Sequence, residues 1–82
     1  MPAISELRRR TEDHRAAFVR HIADDVSRQI ESGGVAVTDA RELAARVRFQ
    51  AGLLFPCRME AYDRIYSSRF ERQIRQFLLG ES

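Results

Sequence analysis

His14, His21 and Asp25 are the side chains whose types best suit a transition metal. Seven residues of helix separate the two imidazoles by about 10 Å along the axis. That is too far for one chain to seat one ion between them. The Glu-x-x-His pattern of di-iron helical proteins is absent. Cys57 follows Pro56 and precedes Arg58, at an expected helix start, a setting that favours the reactive thiolate. A nucleophilic thiol also needs a base in reach, and both histidines belong to another helix. Glu60 and Asp63 stand three apart among arginines, which ion pairing explains. There is no glycine-rich phosphate loop, and no serine is flanked as in a nucleophile elbow. The expectation is a protein that is not an enzyme, with no catalytic residue, cofactor or metal.

The chemistry with more support is non-covalent. The stretch from Cys57 to Leu79 holds Tyr62, Tyr66, Phe70 and Phe77 together with Arg58, Arg64, Arg69, Arg72 and Arg75. At helical spacing, Met59, Tyr62, Tyr66, Phe70, Ile74 and Phe77 share one face, with Arg58, Arg69 and Arg72 on its flank. Tyr and Arg are enriched in interface hot spots. Part of the aromatic face must close a core, so core and interface are expected to share this helix.

Composition narrows the classes. The 82 residues make one small domain, spanning 1–82, which buries a modest share of its surface and gains from a second copy or a partner. Hydrophobic residues make up 44%, enough for a core, and charged residues 32%, as in well-solvated helices. The net charge is only +2, smaller than expected for a tight non-specific nucleic-acid binder. Every basic side chain is Arg and Lys is absent, the mark of a GC-rich bacterial genome more than of selection for guanidinium. One cysteine allows no internal disulfide. The first residues, Met1-Pro2-Ala3-Ile4-Ser5, lack the apolar run of a signal peptide, and no stretch has the roughly 20 apolar residues of a membrane span. A soluble cytoplasmic protein without membrane contact is expected.

The elements that position these residues follow from two breakers, Gly33-Gly34 and Pro56. They predict helices over about 5–32, 38–54 and 57–79. In the first, capped by Ser5, the apolar stripe is Leu7, Thr11, His14, Phe18, Ile22, Val26 and Ile30, widened by Val19 and Ala23. At 1.5 Å per residue this helix is about 40 Å long, longer than a small globule needs. Arg8-Arg9-Arg10 lies in its first turns, offset by Glu6, Glu12 and Asp13. The second opens at Thr38 or Asp39, with Glu42 three residues after Asp39 as in a capping box. It is apolar on two sides. Ala40, Leu43, Ala44, Val47, Ala51 and Leu54 form the main face, and Ala45, Phe49 and Leu53 a second stripe. Val35-Ala36-Val37 is a connection.

The fold class is all-α: three amphipathic helices in a small antiparallel bundle, or a long helical hairpin with a third helix, expected to be dimeric. Residues 38–47 resemble the opening helix of a helix-turn-helix over about ten positions. The tight turn and polar recognition helix that should follow are not there. Arg48-Phe49-Gln50-Ala51-Gly52 continues the helical pattern, and the next helix carries Met59, Tyr62 and Tyr66. The functional expectation is a protein–protein interaction module, a regulatory adaptor or escort, that binds itself and an acidic protein partner. Phe49 and Leu53 would associate two copies. Tyr62 and Tyr66 would supply contact area, and Arg58, Arg69 and Arg72 would steer the partner. All would meet at one seam. The alternative is a nucleic-acid-binding regulator that uses arginine-rich helix faces.

Overall fold

The structure is a computed structural model that describes residues 4–81, with side chains from Arg8 onward. The Ser5 cap and the Leu7 side chain lie outside the described residues. Three helices and no strand are present among them: α1 (Ile4–Glu31), α2 (Val37–Leu54) and α3 (59–78). A single 3₁₀ turn, Pro56–Arg58, leads into α3.

The breakers act as their chemistry requires. Gly33 takes φ 71°, a left-handed conformation in which a Cβ would be strained. The Ser32 hydroxyl donates to the Gln29 carbonyl at 2.7 Å and accepts from the Gly34 N–H at 3.2 Å. Phe55 leaves helical angles at φ −136° ahead of Pro56, while its N–H still closes on the Ala51 carbonyl at 2.7 Å. The start of α2 differs from the sequence expectation. Ala36 occupies the N-cap with extended angles and no side-chain hydrogen bond. Thr38 therefore lies inside the helix, and Asp39 contributes through its charge in the first turn.

One core joins the helices: Val19, Ala23, Val26 and Ile30 from α1, Ala40, Val47 and Ala51 from α2, and Tyr62, Phe70 and Ile74 from α3. On α1 the buried line is the one through Val19 and Ala23, and Phe18 stands outside it. A stripe that advances four residues at a time drifts about 40° per step on a 3.6-residue helix, so Phe18 and Ile30 lie about 120° apart.

α3 handles the same drift differently. Tyr62, Tyr66, Phe70, Ile74 and Leu78 recur every fourth residue, and all five are buried or half-buried. Two π-turns, Asp63–Ser67 and Ile74–Leu78, widen the helix enough to hold this line on one side. The first is braced by the Ser68 hydroxyl, which donates to the carbonyls of Asp63 and Arg64 at 3.1 and 2.7 Å. The second turns Leu78 inward and leaves Phe77 43% exposed, where the sequence expectation had Phe77 in the buried face.

Polar ties set the helix directions. Arg48–Asp63 and Arg41–Glu71 join α2 to α3 with numbers running oppositely. Arg69–Asp24 and Gln73–Glu31 join α3 to α1 with numbers rising together. The body ends at Val19. Every described side chain from Arg8 to Phe18 is exposed; Thr11, His14, Arg15 and Phe18 still border Gln50 and Leu54 at the end of α2, and α1 projects beyond them. The overall extents, 54 × 21 × 19 Å, reflect this arm.

Candidate functional site

Phe49 and Leu53 lie one turn apart on α2, 65% and 63% exposed. At 100° per residue they point directly away from Ala40, Val47 and Ala51. Beside them, Phe18 and Leu54 form part of a shallow groove of about 290 Å³ between α1 and α2, whose other walls include Thr11, His14 and Gln50. Phe18 is exposed on this groove, while Phe49 and Leu53 stand outside its walls on the outer face of α2.

A second apolar surface lies between α1 and α3. Ala16, Phe55, Met59, Ile65 and Tyr66 line a groove of about 280 Å³, with Arg58 at its rim. Ile65, 61% exposed, is its most prominent side chain. The Arg58 guanidinium carbon sits 5.8 Å from the Phe55 ring centroid and has no carboxylate partner among the described residues. Tyr62 forms the floor at 6% exposure, its ring 5.2 Å from that of Tyr66. Its hydroxyl is buried without a hydrogen-bond partner among the described residues. Burial first, and the neighbouring Asp63 charge second, push its pKa up to about 12.

The expected site residues therefore divide. Phe49 and Leu53 are free for contact on α2. Tyr66 and Arg58 line the α1–α3 groove, on the opposite side of the core. Tyr62, expected at an interface, belongs to the core because its ring continues the line from Phe70 and Ile74. Arg69, expected to steer a partner, is held inside the fold. It pairs with Asp24 at 3.2 Å and lies over the rings of Tyr66 and Phe70 at 5.4 and 5.9 Å. Arg72 is exposed and unpaired among the described residues. The single seam expected from the sequence is two surfaces, because α2 turns Phe49 and Leu53 away from both of its neighbours.

Sequence reasoning missed the roles of Ile65, Phe18 and Phe55. Ile65 carried a signal. It is an isoleucine off the four-residue stripe, between Arg64 and Tyr66.

Electrostatics separate structural arginines from free ones. Arg48 grips Asp63 through two bonds, Nε–Oδ1 at 2.8 Å and Nη2–Oδ2 at 3.0 Å. This pair, with the Ser67 hydroxyl at 2.7 Å, holds the Asp63 carboxyl at about 2, and the same pairing raises Arg48. Arg28, Arg41, Arg46, Arg64 and Arg75 also have carboxylate partners. Arg8, Arg9, Arg10, Arg15 and Arg20 have none among the described residues, and all lie on the arm or at its root.

Asp25 bonds Arg28 and Gln29, not His21. Cys57 is exposed. Among the described residues, no three His, Cys, Asp or Glu side chains gather as a metal site. No described helix is long and apolar enough to cross a membrane. α2 runs unbroken past position 48, so the turn of a helix-turn-helix is not formed there. The chain matches no family model, no curated protein and no solved structure.

Proposed function

We propose that this three-helix chain is a small bundle that works as a non-enzymatic protein–protein interaction module, a regulatory adaptor or escort. It associates with itself through Phe49 and Leu53 and takes an acidic protein partner in the α1–α3 groove. The observation that carries the reading is the placement of two apolar surfaces on opposite sides of one core. Two exposed large side chains one turn apart are the seed of an interface core. A groove whose rim holds a stacked arginine, unpaired among the described residues, suits an amphipathic helix that brings a carboxylate.

The free arginines of the arm favour a second reading, binding to a phosphate backbone. Fluorescence anisotropy separates the two. The probes are a labelled acidic amphipathic peptide and a labelled DNA duplex, each titrated at low and high salt. The module reading predicts peptide binding that persists in salt and is lost in Ile65→Glu. Binding of the duplex alone, falling steeply as salt rises, would overturn it.

A further inference from the structure

The first half of α1 is only thinly covered by its own chain: Thr11, His14, Arg15 and Phe18 line a shallow groove with Gln50 and Leu54. From Ile4 to Phe18 it is a helix whose described side chains are all exposed. The arm continues a helix already nucleated in the body, but it leaves Phe18 47% exposed. The outer face of α2 lacks cover. From Asp39 to Leu53 it spans fourteen steps, as does Ile4 to Phe18, about 21 Å in each case.

Charge supports the same match. The arm carries Arg8, Arg9, Arg10 and Arg15, which have no carboxylate partner among the described residues. The far end of the α2 face carries Asp39 and Glu42, and among the described residues Glu42 pairs loosely with Arg46, at 3.8 Å. The sequence of the arm also holds Glu6, Glu12 and Asp13, and the α2 face holds Arg46 itself.

We propose that two copies exchange arms: Phe18 of each sits on Phe49 and Leu53 of the other, and its arginines reach the other's Asp39 and Glu42. The arm then runs parallel to the α2 it covers. Because α1 and α2 of one copy are antiparallel, the two α1 helices are antiparallel to each other. A two-fold axis perpendicular to them, near Phe18, relates the copies, so both arms are buried by one operation. This rests on the self-association reading and adds the element that fills the surface.

Disulfide trapping tests it in the full chain with Cys57→Ser, an exposed site. The probe pair is Arg8→Cys with Glu42→Cys, which the matched spans bring within one residue of register. Within one chain these positions are remote. Glu42 lies at the Glu31 end of the body, since Arg41 reaches Glu71 and nearby Gln73 bonds Glu31. Arg8 is twenty-three residues back along α1 from Glu31, about 35 Å. Oxidation of a mixture of the two single variants is expected to give a covalent dimer, and neither single variant alone is expected to do so. A dimeric mass without that cross-link would overturn arm exchange and leave self-association standing. A monomeric mass would overturn both. Hydrogen exchange on the native chain gives a second measure. Protection of residues 8–18 and 42–53 should rise together, at least about tenfold, as concentration crosses the association range. Protection confined to 42–53 would contradict the exchange.

Discussion

Arg69 Nη2 lies 3.2 Å from Asp24 Oδ1, and the same guanidinium covers the rings of Tyr66 and Phe70. One side chain therefore ties α3 to α1 through charge and through stacking. Each contribution is modest, up to about 1 kcal/mol for the ion pair and about 0.5–1 kcal/mol for the cation–π contact. Arg69→Ala is expected to lower unfolding free energy by about 1–2 kcal/mol in urea denaturation, counting its lost packing. Arg72→Ala, which removes an exposed side chain with no ion pair among the described residues, should change it by less than about 0.5 kcal/mol. Equal effects from the two would refute the distinction.

Asp63 supplies a prediction in acid. Its folded pKa of about 2 lies below the ordinary carboxylate range, mainly through the Arg48 hydrogen bonds and then Ser67. The contribution to stability is complete above that range and is lost as pH falls toward about 2. In Arg48→Gln, carboxyl NMR should show Asp63 titrating closer to its ordinary value. An unchanged titration would mean that Arg48 is not the cause.

Tyr62 supplies one in alkali. Its folded pKa of about 12 exceeds the ordinary tyrosine value, so its contribution is present below that value and disappears as pH rises toward about 12. Tyrosinate absorbance should show a late ionisation that Tyr62→Phe removes. Because the buried hydroxyl has no partner among the described residues, that variant should also be more stable, by about 1 kcal/mol. A loss of similar size would reveal a hydrogen bond the fold does not show.

The π-turn at the end of α3 is tested by contrast. Ile74 is buried, whereas Phe77, three residues on, stands outside. Ile74→Ala should cost about 2–4 kcal/mol, and Phe77→Ala under about 1 kcal/mol. A regular α-helix in this segment would turn Phe77 inward, and thermal unfolding of the two variants would then show comparable losses.

These particulars mark what the sequence made legible. The breakers at Gly33-Gly34 and Pro56 divided the chain correctly, because left-handed φ and a missing N–H act locally. The all-α class followed from helical periodicity. The second stripe at Phe49 and Leu53 was readable because nothing within α2 could bury two opposite faces. The failures come from rotation about helix axes. A four-residue repeat drifts in α1, which leaves Phe18 outside, and is held by π-turns in α3, which bring in Leu78 and expel Phe77. No residue type announces a π-turn. The role of Arg69 was hidden for a related reason, since its partner Asp24 lies 45 positions away.

Sedimentation equilibrium of three proteins tests the central claim most directly: the native chain, Phe49→Asp and Ile65→Glu, each from micromolar to high micromolar concentration. Both substitutions fall on exposed side chains, so each monomer should keep its helix content. The native chain and Ile65→Glu should approach twice the 9.5 kDa chain mass, and Phe49→Asp should remain at the chain mass. A native chain that stays monomeric throughout, or a Phe49→Asp variant that dimerises as the native chain does, would contradict self-association through this face.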